Sequence, residues 1–236
     1  MSNHNEVLRL VDIKKSYNMG QPNEIEVLHG INFSIERDDF AALIGPSGSG
    51  KSTLLNLLGL LDQPSSGEIY LMGEATSQMD DATRTHRRGQ RIGFVFQFHH
   101  LIQAFTVLDN ILMPLMTAHG RPTKQHIEHA RALLDAVGLS QLADRKPNQL
   151  SGGQQQRIAI ARALVTQPAL LLADEPTGNL DSQTAEDIFE LFRQVNRDND
   201  CAVLLVTHDP RLSQTCDRTI RLVDGYIESD VTSSPK

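Results

Sequence analysis

The sequence predicts an α/β fold whose main sheet is mostly parallel. Three short runs, Phe40–Ile44, Ala169–Ala173 and Ala202–Val206, are apolar at every position and have the length of a strand. Strands without a polar face are covered on both sides, as parallel sheets are. Helical periodicity separates the runs. Leu54, Leu55, Leu57, Leu58 and Leu61 follow the first, and Ile188, Phe189, Phe192 and Val195 precede the last. A glycine-bearing turn, Gly45–Ser52, joins the first run directly to its helix, so strand, turn and helix are contiguous.

The elements follow in order. Residues from about Val7 to Ile35 alternate apolar and polar positions around a break at Asn18, Gly20, Pro22 and Asn23. This pattern reads as an antiparallel β region. Phe40–Leu61 is the strand–turn–helix unit, and Gly67–Leu71 and Ile92–Phe96 are further strands. Thr123–Val137 is a helix, with Ile127, Ala130, Leu133, Leu134 and Val137 on one face. Gly153–Val165 is another, carrying Ile158, Ile160, Ala161 and Leu164. The polar tail from Ser229 to Lys236 reads as flexible. No repeat or linker divides the 236 residues, so residues 1–236 are expected to form one domain.

Composition narrows the function classes. Apolar residues at 39% and charged residues at 22% describe an ordinary globular protein. A net charge of −7 argues against nucleic acid as a partner, because that binding needs a basic face to displace counterions. Cys201 and Cys216 form no disulfide framework and no metal-ligand spacing, which suits a reducing cytoplasm. Met1–Glu6 is too polar to begin a secretory signal, and the apolar stretch Ile111–Met116 is far too short to span a bilayer.

The chemistry is concentrated in two glycine turns. Gly45-Pro46-Ser47-Gly48-Ser49-Gly50-Lys51-Ser52 fits the phosphate-cradling pattern G-x-x-x-x-G-K-[ST]. Glycines let successive backbone N–H groups point inward at phosphate oxygens, and the helix opening at Lys51 adds the positive end of its dipole. Lys51 is expected on the β- and γ-phosphates and the Ser52 hydroxyl on a magnesium ion. The second turn, Leu150-Ser151-Gly152-Gly153-Gln154, opens a helix in the same way and presents another anion site. Taken alone, it also reads as an ordinary loop before a helix.

Asp174 and Glu175 close the run Ala169–Ala173, at the strand end where parallel sheets place ligands. Asp174 would hold magnesium there, and Glu175 could orient or deprotonate an attacking water. His208 ends the strand Ala202–Val206 two residues on, where it can reach a γ-phosphate or simply precede a turn capped by Asp209. Gln97 follows Ile92–Phe96, with an amide that can contact metal or water. Asp181 reads as the cap of the helix beginning near Ser182.

His99 and His100 are adjacent and, on a helix, would point apart with no third ligand nearby, so zinc is not expected. The cluster Arg84–Arg91 reads as a solvated basic face.

In order along the chain, Gly45–Ser52, Gln97, Leu150–Gln154, Leu170–Glu175 and His208 resemble the ATPase subunit of ATP-binding-cassette transporters, from about Leu8 to Ile227. The Leu-Ser-Gly-Gly-Gln turn is the most specific element. The resemblance implies a RecA-like P-loop core with a helical subdomain inserted at about residues 98–149. It also implies ATP and Mg2+ as cofactors, and two copies packed head to tail. Each ATP would then lie between Gly45–Thr53 of one copy and Ser151–Gln154 of the other.

By the same resemblance Tyr17 stacks on adenine and Thr53 closes the phosphate loop. Glu175 is the catalytic base and His208 steadies the γ-phosphate. Gln97 links metal to a membrane subunit, and Asp181 lies in the loop crossing the dimer. An integral membrane partner, a possible periplasmic one beyond it, and a place on the cytoplasmic face of the inner membrane are implied as well.

Phe96–Leu101 and Phe105–Pro114 are similar to the lipoprotein-releasing and macrolide-exporter group of that family. Its ATPases close beneath a membrane subunit that transmits the motion outward. The alternative implied by the same group is an ATPase switch that controls cell-wall hydrolysis and moves no substrate.

Overall fold

The computed structural model describes residues 5–233. In chain order it begins with β1 (Glu6–Tyr17), β2 (Ile25–Glu36), β3 (Phe40–Ile44), α1 (Lys51–Leu58), β4 (Ser66–Leu71) and β5 (Glu74–Ala75). Then come α2 (Asp81–Arg91), β6 (Ile92–Phe96), α3 (Val107–His119), α4 (Lys124–Ala136), α5 (Gly152–Leu164) and β7 (Leu170–Asp174). The chain closes with α6 (Ser182–Asn199), β8 (Ala202–Val206), α7 (Pro210–Ser213), β9 (Arg218–Val223) and β10 (Tyr226–Thr232).

Two sheets result. The first is antiparallel, in the order β2-β1-β4-β5, and the second runs β10-β9-β3-β8-β7-β6. All neighbours in the second are parallel except β10, which returns antiparallel to β9. The α/β class and the N-terminal antiparallel region are therefore as the sequence predicts.

The parallel strands are apolar throughout because both their faces are covered. Ala41, Leu43, Leu170, Leu172 and Leu204 pack toward the first sheet and α1, against Leu8, Ile13, Leu28 and Leu54. Phe40, Ala42, Leu171, Ala173 and Val203 point the other way, into Ile111, Ile158, Ile160, Ile188 and Phe192. Alternation along each strand thus feeds two hydrophobic layers. Cys201 and Cys216 are buried at the ends of these layers as free thiols, and burial pushes both up to about 12. They are inert packing residues at neutral pH.

The strand register sets up the site. Phe96 pairs with Asp174, and Asp174 with Val206, so the ends of β6, β7 and β8 are level. Gln97, Glu175 and Thr207 therefore leave the sheet side by side on its C-terminal edge. Residues 98–149 hold α3, α4 and short 3-10 turns, with no strand among them.

One expectation needs correction. The tail does not lose order at Ser229. It continues as β10 to Thr232, with Asp230 paired to Ile220, while residues 234–236 lie outside the described residues. The reason is Arg218 on β9. Its guanidinium binds both oxygens of Asp230, at 2.8 and 2.6 Å, as well as the Asp39 carboxylate and the Ser34 carbonyl. The cluster Arg84–Arg91 lies on a helix that buries none of its residues, as expected of a solvated face, but the guanidiniums of Arg84, Arg87 and Arg88 are partnered. It belongs to α2, where Arg87 pairs with Glu74, Arg84 donates to the Met79 carbonyl and Arg88 to that of Leu60.

Arg218 links β2, the turn before β3 and β10, so removing it leaves two carboxylates facing each other with no cation between them. Replacing it by alanine should cost about 3 kcal/mol, the lower end for a broken, mostly buried ion pair. That corresponds to a fall of about 6–12 °C in the thermal midpoint of a chain this size. A calorimetric midpoint within a degree of the parent would show that the tail is not held in this way.

Candidate functional site

The first glycine turn wraps between β3 and α1 because two close approaches require it. A Cβ on Gly45 would lie 2.0 Å from the Leu222 carbonyl oxygen, and one on Gly50 2.9 Å from Leu28 Cδ2. Gly50 also has φ 101°, a conformation that favours glycine. The turn is buttressed from behind by the β9–β10 hairpin. The Gly225 amide donates to the Ser49 carbonyl at 3.1 Å, and the His29 amide to the Gly225 carbonyl at 3.0 Å. Sequence reading missed this support, since no local pattern ties residue 225 to residue 49.

In front of the turn is a cavity of about 480 Å³. Gly45, Ser47, Gly48, Gly50, Lys51, Ser52 and Thr53 line it from the turn, and Asp174, Glu175 and His208 from the strand ends. Val27 and Val206, which the sequence did not single out, complete the wall. Pro46 is not part of the lining, and Ser49 is buried with its hydroxyl unpaired. Lys51 Nζ donates to the carbonyls of Gly45 and Pro46, each at 2.8 Å, which holds the ammonium over the turn. Tyr17 stands half-exposed beside it, its hydroxyl 3.5 Å from Thr53 Oγ1.

The acidic pair is electrostatically tense. Burial raises the pKa of Asp174, and the neighbouring Glu175 charge raises it further, against the opposing pull of Lys51. Carboxylate, hydroxyl and amide oxygens are the donors a hard divalent cation prefers. Asp174 with Ser52 fits such an ion, which would relieve the crowding of negative charge. Glu175 adopts φ 46°, unusual for a residue with a side chain, and its amide donates to the Val206 carbonyl at 2.9 Å. In that position its carboxylate meets His208 Nδ1 at 2.8 Å.

The Glu175 hydrogen bond and charge raise the pKa of His208 above the usual histidine range. The histidine's share of the pairing is thus fully present just below about pH 6.5 and is lost as pH rises through the elevated value. Proton NMR of the nucleotide-free protein should place the His208 midpoint above that of an exposed histidine, and Glu175→Gln should bring it down. Identical midpoints in the two proteins would dissolve the pair.

The second glycine turn is elsewhere on this chain. Ser151 caps α5 through Gln154, whose amide donates to Ser151 Oγ at 3.3 Å while its Oε1 accepts from the Ser151 amide at 3.0 Å. This reciprocal box leaves the Gly152 and Gly153 amides at helix positions without an intrahelical acceptor. Gly152 and Gly153 pack near Leu180 and Thr184, and no residue of 151–154 lines the cavity. Asp181 caps α6, accepting from the Thr184 amide at 3.0 Å.

Gln97 is outside the cavity lining as well. Its Nε2 donates to Asn179 Oδ1 at 3.2 Å, and its backbone carbonyl accepts from Asn179 Nδ2 at 3.3 Å. Asn179 was not foreseen, although it lies two residues before Asp181. His99 and His100 are not on a helix, and no three-residue His/Cys/Asp/Glu cluster suited to a metal is present among the described residues.

A glycine turn at a helix mouth, an inward lysine, a hydroxyl and strand-end carboxylates around one cavity define a nucleoside-triphosphate-binding protein of the phosphate-loop class. Comparison with known proteins narrows the class. The family described as ABC transporter matches residues 28–178, more than half of the chain. The chain belongs to that family and is one of its ATPases.

It is 55% identical to the lipoprotein-releasing system ATP-binding protein LolD 1 of Rhodopseudomonas palustris, over 94% of this chain and 98% of that one. It is 46% identical to the macrolide export ATP-binding/permease protein MacB of Rhodopirellula baltica, over 95% of this chain but 33% of that longer one. Among solved structures, the dimeric ABC transporter cassette MJ0796 superposes with a TM-score of 0.86 and 41% identity, over 97% of this chain and all of that one. A post-hydrolysis dimer of the same cassette, bound to ADP and Pi, gives 0.85 and 40%, again over 97% of this chain and all of that one.

Proposed function

We propose that this chain is the ATP-hydrolysing subunit of a bacterial inner-membrane complex that releases lipoproteins, and that it works as a head-to-tail pair. One observation carries the pairing: the first glycine turn, the strand ends and Val27 line the cavity, and the second anion-binding turn of the same chain does not. A second copy supplies that turn if its Ser151–Gln154 faces the first copy's Gly45–Thr53. The dimeric cassettes of similar fold support this reading.

In the proposed site Tyr17 stacks on adenine, and the amides of 45–53 with Lys51 hold the phosphates. Ser52, Asp174 and, by way of its amide, Gln97 would hold Mg2+, which when bound would offset negative charge on the triphosphate. Glu175 takes a proton from the water that attacks the γ-phosphorus, the bond to the ADP oxygen breaks, and inorganic phosphate leaves. His208 holds Glu175 in place and meets the γ-phosphate. Asp181, at the mouth of α6, touches the partner across the pair. Residues 98–149 act as an arm that carries the second turn.

No helix among the described residues is long and apolar enough to cross a membrane; in the proposed complex the chain works beneath an integral membrane subunit. The release role rests on the names of relatives that are 46 to 55% identical over nearly their whole length. Both the lipoprotein-releasing and the macrolide-export names specify something moved, which gives the cargo-free switch no support.

Purification of the tagged chain from native membranes, followed by identification of its companions, tests the proposal. It expects an integral membrane subunit, and depletion of the chain should strand lipoproteins in the inner membrane. Recovery without a membrane companion, or depletion that causes filamentation with normal lipoprotein sorting, would refute it.

A further inference from the structure

Helix α5 carries a polar side chain that packing alone does not explain. Gln156, one turn beyond Gly152 and Gly153, is completely buried. Its Nε2 donates to the Phe96 carbonyl at 3.5 Å, a long bond, and its Oε1 meets no donor. A buried amide oxygen without a partner costs stability, and an apolar side chain of similar length would fill the space without that cost. Local costs of this kind are kept where function needs them.

Phe96 ends β6, and Gln97 follows it. The same helix grips the far end of that segment. Arg162 donates to the carbonyls of His99 and His100, each at 2.8 Å. Three carbonyls between residues 96 and 100 are therefore held by a single helix, and the mouth of that helix is Ser151–Gln154. On its other side Gln97 is bonded to Asn179, in the segment leading to the Asp181 cap. Gln156 is the only one of these links that is wholly buried and half satisfied. Because its bond is long, a small approach of α5 to the strand end would tighten it and a small retreat would break it.

We propose that Gln156 is a positioning residue for Gln97. Its buried amide ties the end of β6 to α5, so an approach of the second glycine turn tightens the hold on the segment carrying Gln97 and a retreat releases it. The arrival of a partner's phosphate at Ser151–Gln154 would then be felt at the metal-facing amide of the same chain. This rests on the reading of Gln97 as part of the hydrolytic site.

The test replaces Gln156 by methionine, which keeps length and volume and removes the amide, in the full chain and again in a Gln97→Ala background. Gln156→Leu serves as a second variant. The thermal midpoint should stay level or rise, because an unpaired buried oxygen is removed. Without nucleotide, amide exchange across residues 96–100 should quicken by about threefold or more as the clip is lost. At saturating ATP, kcat should fall roughly tenfold while KM stays within about twofold. In the Gln97→Ala background the second substitution should lower kcat no further.

Unchanged exchange and kcat in Gln156→Met would overturn the proposal. So would an equal proportional loss in both backgrounds, or a lowered midpoint in both the methionine and leucine variants, since each marks a plain packing role. If Gln97→Ala is impaired and Gln156→Met is not, only this proposal falls. Wild-type turnover in Gln97→Ala would remove the assigned role of Gln97 and this proposal together.

Discussion

The Glu175→Gln chain is expected to bind ATP as the parent does and to hydrolyse it about a hundred to a thousand times more slowly. The range is that of a lost general base, and it amounts to about 2.7–4 kcal/mol of barrier. The amide keeps the size and the hydrogen-bonding reach of the carboxylate, so the unusual φ of 46° and the bond to the Val206 carbonyl can persist. What disappears is the ability to accept a proton from water and to pair as an anion with His208 Nδ1.

Two consequences separate this from general damage. The negative charge of Glu175 beside Asp174 and the triphosphate also disappears, so nucleotide binding should be level or tighter rather than weaker. ATP then persists in the site, and the pair should accumulate as a dimer on light scattering in the presence of ATP and Mg2+. Phosphate release near the parent rate would falsify the assignment of Glu175. Loss of ATP binding alongside activity would mean that the side chain supports the site's shape instead.

The parts that could be read from sequence are those whose physics is local. Phe40–Ile44, Ile92–Phe96 and Ala202–Val206 were bounded to the residue, because a strand covered on both faces must be apolar at each position. The phosphate loop was equally plain, since its glycines, lysine and serine act within eight residues. Helix α2 gave no such signal. Asp81–Arg91 buries none of its residues, and it is held by Asp80 at its mouth and by guanidinium bonds to Met79, Glu74 and Leu60.

Strand β10 was hidden for the opposite reason. Ser229, Asp230 and Thr232 are polar and none is buried, and they are strand only because β9 offers a free edge and Arg218 a partner. The site shows the same divide. Its residues could be named from motifs, but the bonds between them join positions far apart in sequence. Glu175 with His208, Gln97 with Asn179 and Gly225 with Ser49 are pairings that only the level ends of β6, β7 and β8 and the return of the last hairpin bring about. Glu175's left-handed backbone has no sequence signature at all.

Lys51→Ala should raise the dissociation constant for ATP by about 10- to 100-fold and leave the fold intact. Two effects compete. The ammonium now bonds the Gly45 and Pro46 carbonyls, so its loss could loosen the turn. It is also the only cation lining the cavity apart from His208, so its loss removes charge-assisted bonds to phosphate. The second effect should dominate, because the turn keeps its other supports: the Gly225 amide on Ser49, the Leu54 amide on Gly50 and the close packing of Gly45 on Leu222. A hydrogen bond to a charged group is worth about 1.5–3 kcal/mol, which gives the stated range.

Without nucleotide, the thermal midpoint should therefore match the parent's. With ATP, the stabilisation should shrink by about 1.4 kcal/mol for each tenfold loss of affinity. The deficit should be largest for ATP, smaller for ADP and slight for adenosine, following the charge that Lys51 faces. An ATP affinity unchanged from the parent, or an equal loss for adenosine, would detach Lys51 from the phosphates and with it the reading of the cavity.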